Sequence, residues 1–238
     1  MKRSFALIAL LPLVLAVPVG GEELANPFDV EPGERLHTLV ERMRLEQEKM
    51  QSLEAAFVQR TESELLLEPE VATGVFSYAA PDSVRWEYAA PTSISLVITG
   101  DHMTTWYRDL AQVEEVEIGR HSQRVLEYLG AGSSLVKLIE YFDVRLTLPH
   151  DRTRPMHLEL EPKFERVARR LQGMEIWVDP QNYLPVRIRY IEADGDVTDY
   201  EFSQMKINEE LAADRFELDL PDDVRVRTID LNRGTGLR

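Results

Sequence analysis

Cysteine is absent from the chain. That excludes a disulfide framework, thiolate metal ligands, a cysteine nucleophile and a lipid-modified cysteine that would tether the protein itself. Positive charge is scarce: 27 basic residues face 42 acidic ones over 238 positions, a net charge of −15. A surface of that sign repels phosphate backbones and anionic headgroups, so nucleic acid is not an expected partner. After the first twenty residues no apolar run approaches the roughly 20 residues of a spanning helix. Catalytic and ligand motifs are also missing. The histidines at 37, 102, 121, 150 and 157 show neither metal-ligand spacing nor a His-Glu-x-x-His arrangement. No serine sits in a Gly-x-Ser-x-Gly elbow. Gly130-Ala131-Gly132-Ser133-Ser134 lacks the lysine of a nucleotide-binding loop and reads as a turn between helices. No cofactor, no metal and no enzymatic activity are expected.

What is present begins with a leader. Lys2 and Arg3 precede an apolar run from Phe5 to Val19, broken by Pro12 and Pro18, and small residues then lead into Glu22-Glu23. This is the layout of a secretory signal peptide over residues 1–21, with cleavage possible anywhere from 16 to 25. Its removal takes away Lys2 and Arg3 and no acid, moving the net charge from −15 to −17. The exported chain is expected to be soluble, in the periplasm.

Residues 22–33, with Pro27, Pro32 and Gly33, read as a linker. From Glu34, the apolar residues Leu36, Leu39, Val40, Met43, Met50 and Leu53 fall at helical spacing and predict one amphipathic helix. Period-two alternation follows in Val84 to Tyr88, Val144 to Leu148, Leu158 to Glu161, Leu184 to Tyr190 and Phe216 to Leu220. Such segments are half-buried antiparallel strands, roughly ten in all, with turns at Gly100-Asp101, Asp179 to Asn182 and Asp194-Gly195. A helical insert, Ser122 to Leu129 and Ser133 to Tyr141, interrupts the series. The predicted fold is mostly β within an α+β class: an unclosed antiparallel barrel, or strongly curved single sheet, covered by the N-terminal helix and the insert.

An ordered series of short signals carries a resemblance. Behind the helix come Phe57-Val58-Gln59, Gly74-Val75-Phe76, Pro81 with Trp86, Gly100-Asp101, the pair Trp106-Tyr107, and finally Phe216 to Pro221. In this order, behind a signal peptide, they make the chain similar to the periplasmic outer-membrane lipoprotein carrier family, the LolA-like proteins, over about residues 34–226, with 227–238 left as a tail. The resemblance implies an open barrel with a lid, acylated lipoproteins as cargo, and two partners: an inner-membrane ABC-type releasing complex and an outer-membrane receptor. A monomer is expected. The chain departs from the family pattern at Val84, where a relative has phenylalanine, and at Ala80, where the best-known members carry the arginine that holds the lid. Alternation aims Arg85 away from Val84 and Trp86, so it does not take that role.

Moving an acyl chain out of water gains about 0.8 kcal/mol per CH₂, so a soluble carrier needs a large apolar sheath. Its expected lining is Phe57, Phe76, Tyr78, Val84, Trp86, Tyr88, Leu96, Trp106, Met174, Ile176, Val186, Ile188 and Tyr190. Leu36, Leu39, Val40 and Met43 of the helix and Leu135, Leu138 and Ile139 of the insert are expected to close it. Two facts keep alternatives open: the same pattern also builds a fully packed core, and adjacent Trp106 and Tyr107 cannot both face inward. A periplasmic lipoprotein sensor, a carrier of another lipid and an envelope hydrolase stand beside the carrier reading.

Overall fold

In a computed structural model of the chain, residues 24–119 and 140–229 are described. The helix α1 spans Arg35–Lys49, and the apolar stripe that predicts it is its buried face: Leu39, Val40 and Met43 are almost wholly enclosed. Glu41, Arg44 and Glu48, with Glu46 and Lys49, pair along its exposed side. The helix stops earlier than its periodicity suggests. Met50 is already extended, and Leu53 lies in the first strand. Beyond the break Asn208 accepts the backbone N–H groups of Gln51 (2.6 Å) and Ser52 (3.3 Å) on its side-chain oxygen, which binds residues 51–52 to the end of the neighbouring strand β11 (Val197–Ile207).

Twelve strands follow among the described residues, two more than expected: β1 (Ser52–Glu62), β2 (Glu70–Ala79), β3 (Ser83–Ala90), β4 (Ile94–Thr99), β5 (His102–Tyr107), β6 (Gln112–Glu117), β7 (Phe142–Thr147), β8 (Met156–Pro162), β9 (Leu171–Val178), β10 (Pro185–Glu192), β11 (Val197–Ile207) and β12 (Arg225–Ile229). They form one sheet in the order β12-β6-β5-β4-β3-β2-β1-β11-β10-β9-β8-β7. The two ends, β12 and β7, do not pair, so the barrel is open. A four-residue helix α2 (Glu165–Ala168) precedes β9. The Asp194-Gly195 turn joins β10 to β11 as predicted, with Gly195 at φ +96°.

The end of the chain departs from expectation. Phe216 to Leu220 alternates but is not a strand. Both edges of β1, β2 and β3 are already paired, so this segment crosses the outer face as a strap. Its anchors advance strand by strand. Ser52 on β1 donates to the Glu209 carbonyl (2.6 Å), and Arg215 bonds Glu54 and the Ser77 hydroxyl of β2. Arg85 on β3 then donates to the carbonyls of Arg215 (3.0 Å) and Glu217 (2.9 Å). The chain emerges at the far edge, where β12 pairs with β6 in parallel, the one parallel pairing among the described strands. β12 runs past 226, where the domain was expected to end. At the other terminus, residues 24–33 are more than a linker: Pro27 is fully buried and Phe28 packs on the core. Of the predicted insert, only Glu140 and Tyr141 lie within the described residues, and they are helical.

Two apolar clusters share the inner face. One joins α1 to β7, β8 and β9 through Leu39, Val40, Met43, Phe142, Met156, Leu158, Leu160, Met174, Ile176 and Val178. The other lies on β1 to β6 and centres on Phe57, Phe76, Trp86 and Ile98. Phe57 needs Gly74 opposite it in the register. A Cβ there would sit 2.1 Å from the Glu87 carbonyl and 2.6 Å from the Phe57 ring. Gly74→Ala is therefore expected to lower stability by roughly 1–3 kcal/mol, read as a shift in urea midpoint.

On the outer face Glu87 is a hub. It accepts from Arg85 (2.7 Å) and the Ser95 hydroxyl (2.6 Å) and pairs with Arg108 (2.7 Å). Burial alone would raise its pKa, but these hydrogen bonds and the two arginine charges outweigh it and hold the carboxyl below its ordinary value. A depressed folded-state pKa contributes stability above the unfolded value of about 4.3, which is lost as pH falls through the folded value. Acid titration of the unfolding midpoint is expected to show this loss below about pH 4, and Glu87→Gln to flatten it.

Candidate functional site

Among the described residues, the inner face between the two clusters is not filled. A cavity of about 680 Å³ opens there, within the roughly 300–1,000 Å³ typical of small-molecule sites. Three regions of chain build it. Strands β1 to β4 contribute Leu53, Ala55, Phe76, Trp86, Tyr88 and Leu96; β10 and β11 contribute Ile188, Tyr190, Tyr200, Phe202 and Met205; Gln47 of α1 and Met50 just beyond its end complete it. The register explains the grouping, because Phe76, Trp86 and Leu96 lie side by side across β2, β3 and β4. Leu184 and Pro185 stand at one end. Exposed Arg169, Arg170, Glu192 and Asp194 stand at the other.

The aromatic wall is held by ring contacts. Trp86 meets Phe57 edge-on (4.8 Å), Phe76 (4.8 Å) and Tyr200 (5.5 Å). Such pairs add about 0.5–1.5 kcal/mol each beyond burial and fix ring orientation. The few polar groups are turned toward one another. The Tyr88 hydroxyl donates to the Gln59 side-chain oxygen (2.8 Å) and accepts from Tyr200. Burial pushes both phenols above the ordinary tyrosine value, Tyr200 the further, so neither carries charge near neutral pH. Trp86 Nε1 is buried with no acceptor among the described residues. Among the described residues, no group of three or more His, Asp or Glu side chains could hold a metal ion, and no helix is long and apolar enough to cross a membrane. The wall presents hydrocarbon and neutral hydroxyls, which suit noncovalent apolar binding.

The expected lining divides. Phe76, Trp86, Tyr88, Leu96, Ile188 and Tyr190 are on the cavity wall. Phe57, Tyr78 and Val84 are packed in the β1–β6 cluster, and Met174 and Ile176 in the other, with Leu39, Val40 and Met43 against them and Leu36 alongside. Trp106 faces outward. Leu96 pairs with Thr105, so alternation puts 105 on the inner face and leaves the Trp106 ring outside, 4.3 Å from the Arg108 guanidinium. Val186 is at a bulge between Pro185 and Arg187, which breaks the alternation that placed it inside. Leu135, Leu138 and Ile139 lie outside the described residues.

Sequence reasoning missed Tyr200, Phe202 and Met205 of β11 and Leu184 and Pro185. The alternation Thr198-x-Tyr200-x-Phe202 was the available signal for the first pair. Met50 and Leu53 had been assigned to the helix stripe, yet they meet the cavity from beyond the helix end.

Two positions on β4 separate open space from packed core. Leu96 is on the cavity wall, whereas Ile98, two residues on, is fully enclosed. Ile98→Phe is expected to cost about 1–3 kcal/mol by overpacking, and Leu96→Phe less than about 1 kcal/mol, compared by urea denaturation.

The comparisons follow the same architecture. A family model described as outer membrane lipoprotein carrier protein LolA matches residues 48–219, from the end of α1 through the strap. An outer-membrane lipoprotein carrier protein of Alkalilimnicola ehrlichii is 27% identical over 231 residues, covering 93% of this chain and 92% of that protein. Among solved structures, an uncharacterized conserved protein from Thermus thermophilus shares the fold with a TM-score of 0.54 at 13% identity, over 82% of this chain and 99% of that one. A LolA superfamily protein from Nitrosomonas europaea aligns at 13% identity with a TM-score of 0.40, over 77% and 97% of the two chains. With most of its length matched by that one family model, the chain belongs to the LolA family of outer-membrane lipoprotein carriers.

Proposed function

We propose that the protein is a periplasmic chaperone that takes the acyl chains of lipoproteins into its cavity and shuttles them from the inner to the outer membrane. The observation that supports this reading best is the apolar cavity that the described residues leave between two packed clusters, walled by Phe76, Trp86, Leu96, Ile188 and Phe202. Each CH₂ that enters such a space from water contributes about 0.8 kcal/mol, so a few turns of acyl chain bind firmly without any specific polar contact. Loading and unloading then follow differences in affinity among donor, carrier and acceptor, with no covalent step. The donor is proposed to be an inner-membrane ABC-type complex and the acceptor an outer-membrane receptor.

Holding the helical cover requires a device other than the family's arginine. At that position Ala80 packs on the β1–β6 cluster, and its backbone N–H donates to the Gln51 carbonyl (2.8 Å). Arg42 supplies a substitute on the helix itself. Its guanidinium bonds the carbonyls of Leu24 and Ala25 and lies 5.2 Å from the Tyr183 ring at the β9–β10 turn.

The test is release of a lipoprotein from inner-membrane spheroplasts by the purified protein, with a non-acylated form of the same lipoprotein as control. Release of the acylated form alone, as a soluble complex, is expected. Ile188→Trp, which puts an indole into the cavity, is expected to reduce release at least about tenfold while the protein stays folded. Equal release of both forms, or none by the folded protein, would overturn the reading.

A further inference from the structure

Nine large apolar side chains are conspicuously exposed among the described residues, and five of them share one hairpin: Val58, Leu65, Leu66, Leu67 and Val71. Scattered exposure of single residues is ordinary, whereas a contiguous patch marks a contact surface. Here Leu65, Leu66 and Leu67 are consecutive at the tip, and Val58 and Val71 lie on the strands that lead to it, with the Arg60–Glu62 pair between. β1 and β2 pair Val58 with Thr73 and Arg60 with Val71, which makes Val58 and Val71 diagonal neighbours on the face opposite Phe57. The strands lead to the connecting turn, where Leu65 and Leu67 are 92% and 104% exposed. The turn is ordered by Ser63, whose hydroxyl accepts from the Leu65 N–H (3.2 Å) and whose carbonyl accepts from the Leu66 N–H (3.1 Å). Three consecutive leucines are thus presented outward at a tip that hydrogen bonds hold in shape.

The charges around the tip decide what fits it. Glu62 is neutralised by Arg60 at 2.8 Å, but Glu64, Glu68 and Glu70 make no ion pair among the described residues. Entry into an anionic bilayer would carry these carboxylates against headgroups of the same sign. A second copy of this chain, itself at −15, would meet the same repulsion. We propose that the β1–β2 hairpin is a docking surface for a partner protein presenting an apolar cleft rimmed by lysine or arginine. The leucines supply the buried anchor, and the glutamates supply orientation and encounter rate. This inference does not depend on what the cavity holds.

The test places the photoreactive residue benzoylphenylalanine at position 65, or at exposed Glu161 of β8 as control, in the full chain expressed in its source cells. A discrete protein adduct is expected from position 65 alone. The identified partner, once purified, is expected to bind the unmodified chain and to lose at least about tenfold in affinity with L65S/L67S and with E64K/E68K. Both double variants should keep the urea midpoint, which separates lost docking from lost folding. Absence of an adduct, or a partner indifferent to both variants, would overturn the proposal. Flotation with phosphatidylethanolamine–phosphatidylglycerol vesicles that depends on Leu65 and Leu67 would overturn it in favour of a membrane contact.

Discussion

Among the described residues, one short helix lies against the concave face of a twelve-stranded sheet. Its 15 residues reach about 22 Å, whereas twelve strands at about 4.8 Å spacing extend some 50 Å. Among the described residues, α1 is committed to the β7–β9 side, where Leu39, Val40 and Met43 meet Phe142, Met156 and Leu158. The β1–β6 side must satisfy its own apolar face, which it does with aromatic rings large enough to pack on one another from adjacent strands. Two clusters with different covers do not meet perfectly, and the cavity is the space between them. Among the described residues, the cavity follows from the limited reach of this cover, and no motif in the sequence encodes it.

This origin explains which residues could be read in advance. Alternation settles the face on which a strand residue lies, so Trp86 and Ile188 read as inward from period, and Phe76 and Leu96 join them through the family resemblance. It does not report whether an inward residue meets another side chain or open space. Met174 on β9 and Tyr190 on β10 are register partners facing the same way, yet Met174 is packed and Tyr190 also borders the cavity. Where alternation fails, the reason is local. The bulge at Pro185 displaces Val186, and Trp106 was given the wrong parity because its partner across β4 could not be known. The strap was illegible for a different reason: Phe216 to Leu220 has strand periodicity because it lies flat on a surface, half-buried along its length, without joining a ladder.

The strap repays that ambiguity structurally. By touching β1, β2, β3 and then the β5–β6 turn in succession, it ties together the strands that carry the aromatic wall. Arg85 serves both layers, donating to Glu87 within its own strand and to the strap carbonyls above it. Its outward direction follows from the alternation that turns Val84 and Trp86 inward. The same residue parity therefore builds the cavity wall and the brace behind it.

Rigidity on one wall and a separable cover on the other are what reversible apolar binding requires. The aromatic side is fixed by ring contacts, by Gly74 against Phe57 and by the strap. The helical side is joined to the chain through residues 50–51 and held by apolar packing plus Arg42. Trp86 Nε1, a buried donor with no acceptor among the described residues, sits in the rigid wall, where the surrounding rings fix its direction. Packing contacts between α1 and the sheet are apolar, so under the proposed function displacement of the helix by an entering chain would exchange one apolar surface for another. In the proposed carrier, the helix packing given up offsets part of the gain from each CH₂ that enters, and release of cargo depends on that offset.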